Sequence, residues 1–523
     1  MVKRCGGLVL FWLIGLFVVN TGMLALAETN TLVVAQMEYA WCFDPMYTWS
    51  DILRMSMVAY DPLLKYDPEN ASVSPWVAKS WEVSQDGLEY TFWLNEGIKF
   101  HDGTQLTSSD VKFTVQRLQQ LKQAVAALFE DVDRIETPDD YTVKFILKKP
   151  NAEFLLATCQ LFIISEEGVK AHEVEGDLGQ QYLQDHELGS GPYKLVLHIP
   201  EQRTVFERFP EYWKGWNNTN NNIERVVWLW IKEPATQRMM LEAGQIHIAM
   251  NPSMSDLPVL EANPDLQVLA AITAIIGEID FRVIHKPLDD IRVRKALAMA
   301  FDYDYHIRVA TASYGKRANS PIPSCLPYHN EEIEPMPYDL ETAKALLAEA
   351  GYPDGGFTLR VAYESLQEEK QIMLHNVQEN WGKQLGINIE ATGVDWVTQA
   401  ALQRDPNSWP DIYLRYVWPN LPIAPFSSLK EFYYGPWKGV HENNGSFWSD
   451  PKVDELIEEG IAELDESKRI VLCKEAQALI ADAVPSIWIC EEPYIIVARS
   501  NVKGYVYNPA YNQGLDVYHL WLE

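Results

Sequence analysis

Residues 81–118 read WEVSQDGLEYTFWLNEGIKFHDGTQLTSSDVKFTVQRL, and this stretch decides how the rest of the chain is read. Trp81 to Leu94 alternates polar and apolar residues on either side of Asp86-Gly87. That is the pattern of two half-buried strands joined by a tight turn. Asp102-Gly103 supplies a second turn suited to positive φ. Thr107-Ser108-Ser109-Asp110 then caps a helix whose apolar face includes Val111, Val115 and Leu118. His101-Asp102 has the look of half a catalytic pair, but a turn histidine beside an aspartate is read here as structural.

Working outward, Thr31 to Ala35 (TLVVA) reads as a buried strand, and Asp133 to Leu147 as a strand pair turning at Pro138-Asp139-Asp140. The Asn-rich residues 217–222 form a loop before a strand at Val226 to Ile231 and a helix carrying Met239, Met240 and Leu241. The pattern changes near Val268 to Phe281. Helices follow at Arg292 to Phe301 and Leu340 to Ala350, the second stopped by Gly351-Tyr352-Pro353. Leu359 to Tyr363, Lys370 to Leu385 and Asn388 to Thr392 read as strand, helix, strand, which predicts a parallel unit. Val453 to Ile461 and Ser467 to Ala481 are further helices, and strand-like composition returns from Ile487. There is no internal repeat and no long disordered linker.

The chain has 523 residues, enough for two or three domains, with 47% hydrophobic and 22% charged residues. Its first residues look like an export leader. Lys3 and Arg4 precede an apolar run from Leu8 to Val19, and Ala25-Leu26-Ala27 places small residues before a cut at Glu28. Asn20-Thr21-Gly22 breaks the run, which is short for a membrane span. Cys5 lies in the positive region, away from the cut, so no lipid-modified cysteine is expected.

The formal charge is −30, and loss of Lys3 and Arg4 with the leader takes it to −32. Such an acidic chain repels phosphate backbones and anionic lipid, which argues against nucleic acid and membrane surfaces as partners. Cys42, Cys159, Cys325, Cys473 and Cys490 survive the cut without a CxxC pair, so zinc and thioredoxin-like chemistry lack support. An oxidising compartment permits one or two disulfides, and the odd count leaves at least one thiol unpaired. No metal or cofactor is expected, because the eleven histidines are scattered.

The stretch 81–118 resembles the characteristic block of the extracellular solute-binding proteins of the dipeptide/oligopeptide class (family 5), which serve ATP-binding-cassette importers. Other pieces resemble the family in the same order. They are Gly189-Ser190-Gly191-Pro192-Tyr193, Phe209 to Gly215 (FPEYWKG), Ala235 to Ile248 (ATQRMMLEAGQIHI), Pro287 to Asp304 and Asp339 to Tyr352. The resemblance implies an α/β, two-lobed periplasmic-binding-protein-like fold with two hinge crossings and a large first lobe carrying an extra subdomain. After a leader at 1–27, it places lobe I at 28–270 with the inserted subdomain at about 71–187. Lobe II is then 271–488, and 489–523 return to lobe I. It also implies a periplasmic, monomeric, non-enzymatic receptor that closes on a small solute and delivers it to membrane permease subunits.

Asp411 to Leu429 (DIYLRYVWPNLPIAPFSSL) resembles the family's cleft segment, in which a second Asp pairs with a peptide ammonium. Here that position reads Asn420, and no carboxylate occurs from Ile412 to Lys430. Asn offers a hydrogen bond without an ion pair, and a charge-assisted bond is about twice as strong. Another acid, such as Glu38 or Glu278, could supply the charge. By the same resemblance Trp396, Tyr416 and Trp418 from lobe II, and Tyr39, Trp41 and Asn251 from lobe I, are the candidate ligand residues. An oligopeptide is the leading ligand. An oligosaccharide or other neutral solute is the alternative, suited by the 18 tryptophans and neutral polar groups. A secreted glycoside hydrolase is the rival class, but GxSxG, HExxH and P-loop motifs are all absent.

Overall fold

The computed structural model describes residues 30–47, 50–122, 124–217, 219–417, 419, 421, 423–438, 443–511 and 513–523. The leader expected at 1–27, and the candidates Trp418 and Asn420, lie outside the described residues.

Strand β1, Thr31–Gln36, is buried along its whole length, its central apolar run Leu32 to Ala35 flanked by buried Thr31 and Gln36. Helix α1 spans Ser50–Ala59. Strands β2 (Ala78–Val83) and β3 (Glu89–Leu94) form the hairpin expected around Asp86-Gly87, with Gly87 at φ +67°. Helix α2, Ser108–Leu121, starts where the Asp110 carboxylate accepts the Thr107 backbone N–H at 2.8 Å. Strands β4 (Val132–Asp139) and β5 (Thr142–Leu147) complete a four-stranded sheet in the order β2-β3-β5-β4.

The remaining named strands build one long sheet. They are β6 (Tyr193–Ile199), β7 (Arg203–Arg208), β8 (Arg225–Trp230), β9 (Ile248–Ala249) and β10 (Leu266–Phe281). Beyond them lie β11 (Thr358–Glu364), helix α3 (Glu368–Val377), β12 (Asn388–Val394), helix α4 (Trp396–Arg404) and β13 (Ile412–Val417). Helix α5 (Pro425–Tyr433) precedes the last long strand, β14 (Ser486–Arg499). Strand order is β12-β11-β13-β10-β14-β9-β1-β8-β7-β6.

At 16 and 14 residues, β10 and β14 are far longer than an ordinary strand, and they pair antiparallel through both halves of the sheet. One half hydrogen-bonds to β13 and the other to β9, so these two strands are the crossings between two lobes. The ladder breaks midway. Ile272 pairs with Pro493 and Ile276 with Glu491, leaving Thr273, Ala274 and Ile275 opposite Glu492 alone. Such a bulge bends the pair locally. The Thr273 hydroxyl secures the bend by donating to the Glu492 carbonyl at 2.8 Å and accepting from Ile275 N–H at 3.1 Å. The parallel unit predicted from Leu359 to Thr392 is present as β11 beside β12.

Candidate functional site

The strand directions define a crevice. In one lobe β1, β8 and β9 run parallel, and in the other β11, β12 and β13 do. Ala249 at the end of β9 lies level with Val497, whereas Val417 at the end of β13 lies level with Ile276 and hence Glu491. Both parallel sets therefore aim their carboxyl ends at the same stretch of β14, from opposite sides. Residues 491–497 separate them, about 20 Å of extended chain. In open α/β sheets ligands bind outside the carboxyl ends of the strands, and here two such edges face one another.

Most described candidate residues sit on these edges. Tyr39 and Trp41 follow β1. The Tyr39 ring stacks on His198 at 6.1 Å, and Trp41, 43% exposed, meets Tyr47 edge-on at 4.9 Å. Asn251 follows β9 and accepts the Met37 backbone N–H at 2.9 Å, tying two strand ends together. Trp396 opens α4 just past β12 and is 41% exposed. Tyr416 stands apart from these. It lies within β13, its ring over Gly277, and its hydroxyl meets His306 Nε2 at 3.1 Å and Cys490 Sγ at 3.9 Å.

Carboxylates at the crossings fall into two kinds. Glu278 and Asp280, both on β10, share the buried Arg415, whose guanidinium lies 2.7 Å from Asp280 and 3.8 Å from Glu278. Tyr433 donates to Glu278 at 3.0 Å and Ser486 to Asp280 at 2.8 Å. Burial, and then the Asp280 charge, raise the Glu278 carboxyl well above its usual range against the pull of Arg415. Glu278 is thus committed to the fold, and it is not the spare acid that the sequence allowed. Glu491 is likewise committed, accepting Ser324 N–H at 2.8 Å and its hydroxyl at 2.6 Å.

Glu492 differs. Its side chain has no hydrogen-bond or ion-pair partner among the described residues. Burial, and then the Glu369 carboxylate on α3, push its pKa up to about 8, with Lys370 opposing. Sequence reasoning missed it because nothing in Glu491-Glu492 distinguishes one acid from the other; only the alternation of a strand separates their environments.

Several of the motifs that carried the resemblance, around His101 and residues 189–213, lie elsewhere and knit together the part of the molecule that carries β1. Asp61 is buried and accepts from Trp76 at 2.7 Å, Tyr212 and Ser190 at 2.9 Å each, and Trp213 at 3.0 Å. A Cβ at Gly189 or Gly191 would strike the Ala59 backbone. His101 holds Glu187 at 2.8 Å and the Gly191 carbonyl at 2.9 Å. Burial, the largest single influence, works against its charge, but the Glu187 carboxylate and the Gly191 carbonyl together outweigh it and raise its pKa. The pair His101-Asp102 is structural. All five described cysteines are free thiols.

A contact also joins the expected subdomain to the segment after β13. Glu153 accepts Phe426 N–H and Ser427 N–H, each at 2.8 Å, and the Ser427 hydroxyl at 2.6 Å, at the N-terminus of α5. Among the described residues no group of His, Cys, Asp and Glu is placed to hold a metal, and no helix is long and apolar enough to cross a membrane.

Comparison with known proteins agrees with this architecture. The family model described as bacterial extracellular solute-binding proteins, family 5 Middle, matches residues 72–439. A di/tripeptide-binding protein of Pseudomonas aeruginosa is 29% identical over 92% of this chain and 93% of its own. A heme-binding protein A of Haemophilus influenzae is 26% identical over 87% and 85%. The structure of the ABC transporter substrate-binding protein CtaP of Listeria monocytogenes superposes with a TM-score of 0.83, covering 94% of this chain and 99% of that one at 23% identity. The fold is accordingly the two-lobed one that the sequence resemblance implied, and the chain belongs to the bacterial extracellular solute-binding proteins, family 5.

Proposed function

We propose that the chain is the exported receptor of an ATP-binding-cassette import system, taking an oligopeptide-type solute into the crevice and presenting it to membrane permease subunits. One observation carries the reading: two sets of parallel strands direct their carboxyl ends at a shared crevice floored by two bent crossings. A floor of two strands interrupted at one level is a hinge, and solute touching both edges favours the closed arrangement. In this reading 1–27 is the removed leader, 28–270 is lobe I with its subdomain at about 71–187, 271–488 is lobe II, and 489–523 return to lobe I. The receptor works as a periplasmic monomer without catalysing a reaction. Tyr39, Trp41, Asn251, Trp396, Tyr416, Trp418 and Asn420 contribute to the solute site.

The peptide preference draws on the di/tripeptide-binding relative. The neutral-solute reading draws on the missing acid between Ile412 and Lys430. Tryptophan fluorescence during titration with a di- and tripeptide library and with oligosaccharides separates them. Saturation by peptides at micromolar concentration supports the first. Response to peptides only at millimolar concentration, with tight oligosaccharide binding, overturns it in favour of the second. Turnover of a chromogenic glycoside would overturn the receptor reading.

A further inference from the structure

We propose that the crevice floor holds a cationic group of the solute, an ammonium or guanidinium, against Glu492 with Glu369 as a second acid. The inference rests on the reading of the crevice as the solute site, and deepens it.

The position comes first. Glu492 lies opposite the three-residue bulge of β10, on the stretch of β14 between the two facing strand edges. It is partly exposed, so the crevice reaches it. Charge comes second. Around it stand Glu369 and Lys370 from α3, Tyr416 from β13, Cys490 from its own strand and Tyr507 from the C-terminal tail. Lys370 is the one cation in this set, and it already pairs with Glu364 at the end of β11. Three carboxylates thus face one ammonium. Glu492 has no side-chain hydrogen bond or ion pair among the described residues, and Glu369 is held only by its own backbone N–H, although native carboxylates at such depth are ordinarily partnered.

An independent observation points the same way. The Tyr507 hydroxyl is sealed from solvent, lies within electrostatic reach of Glu492 and has no hydrogen-bond partner among the described residues; the Tyr505 hydroxyl, beside Tyr507, also has none. An orphaned hydroxyl within electrostatic reach of an unpaired carboxylate suits an ammonium or guanidinium with several N–H groups to place. This pair suits a carboxylate or phosphate poorly. Because Glu492 holds its proton up to about pH 8, a cation that binds the ionised form expels that proton. Affinity then rises with pH, the other titrating neighbours being Glu369, Cys490 and the tyrosines named above.

Calorimetry of the mature protein with trialanine, N-acetyl-trialanine, spermidine and cellotriose tests this. The expected result is binding of trialanine or spermidine that tightens at least three-fold from pH 6 to pH 9. Its heat should differ between phosphate and Tris at pH 7, marking proton release. Glu492→Gln should weaken that cation at least ten-fold. Glu369→Gln should weaken it less, and it carries the test if the first variant misfolds. Equal binding of N-acetyl-trialanine or cellotriose, or a loss below two-fold in a folded variant, overturns the proposal. So does silence from both cations. Native mass spectrometry then separates the two readings: a retained neutral solute leaves the receptor standing without the cation site, and an empty protein counts against both.

Discussion

Two acidic groups meet the crossings, one on β10 and one centred on Glu492 of β14, and they are built in opposite ways. Glu278 and Asp280 on β10 close around Arg415, with Tyr433 and Ser486 filling remaining acceptor positions and Trp488 donating to the Tyr433 hydroxyl at 3.0 Å. Glu492 has no comparable partner among the described residues, and Glu369, whose charge reaches it, is held only by its own backbone N–H. A buried charge set with its partners inside the protein belongs to the architecture. One without them is poised for something that arrives. The difference separates what holds the lobes in register from what the crevice can grip.

The most damaging way to break the first cluster is Arg415→Met. It strands two buried carboxylates, and removing one member of a buried ion pair costs about 3–5 kcal/mol. Urea denaturation should show this loss, and adding Glu278→Gln with Asp280→Asn should restore much of it, since the remaining groups no longer carry net charge. A triple variant as unstable as the single one would mean that Arg415 acts by packing against Phe432 instead of by charge. Next in size is Glu153→Ala. It leaves two N–H groups and a hydroxyl of α5 without their acceptor, for a loss of about 1–3 kcal/mol. Glu153→Gln keeps an acceptor and should lose less than half as much; equal losses in both variants would sink the capping account.

How much of this could be read from sequence differs between frame and site. The hairpin at Asp86-Gly87, the cap at Thr107 and the parallel unit from Leu359 to Thr392 rest on local patterning, and each is present where the residues placed it. The strands that precede Tyr39 and Asn251 were also legible from their apolar residues, whereas Trp41 and Trp396 were singled out by resemblance alone, the strand before Trp396 reading NIEATGV. The crossings were not. Leu266–Phe281 changes partner midway, from β14 alone to β14 with β13, and no local periodicity encodes a partner that lies over 130 residues away. Glu492 was hidden for the same reason. Its isolation is a property of what surrounds it: Ser324 reaches Glu491 from a distant loop, and no described side chain reaches Glu492.

The second cluster can be probed by pH without any solute. Glu492 titrates near 8 in the folded protein against an ordinary 4.5. A raised folded-state value gives a contribution that is fully present below about pH 4.5 and is lost as pH rises through 8. The Glu492→Gln variant does not titrate there, so its stability relative to the parent should climb across that window. The two proteins should match near pH 4, and the variant should lead by about 1–2 kcal/mol at pH 9, discounted for the partial exposure of the group. A flat difference across pH would show that Glu492 is paired in solution. A gain in stability where solute binding is lost is the pattern expected when a carboxylate is kept unpaired for function.

The smallest effect on stability should come from Trp396→Ala. The ring is 41% exposed at the first turn of α4 and makes no ring stacking or cation contact among the described residues, so unfolding free energy should stay within about 0.5 kcal/mol. An indole on a strand edge facing a crevice nevertheless offers a flat apolar surface to a solute. Affinity for whichever probe binds should fall several-fold, and the fluorescence change on binding should shrink with it. Stability loss without loss of affinity would place Trp396 with the packing residues and leave the crevice wall on that side to others. Loss of affinity at unchanged stability would put it on the side of Glu492, among groups whose partner comes from outside the fold.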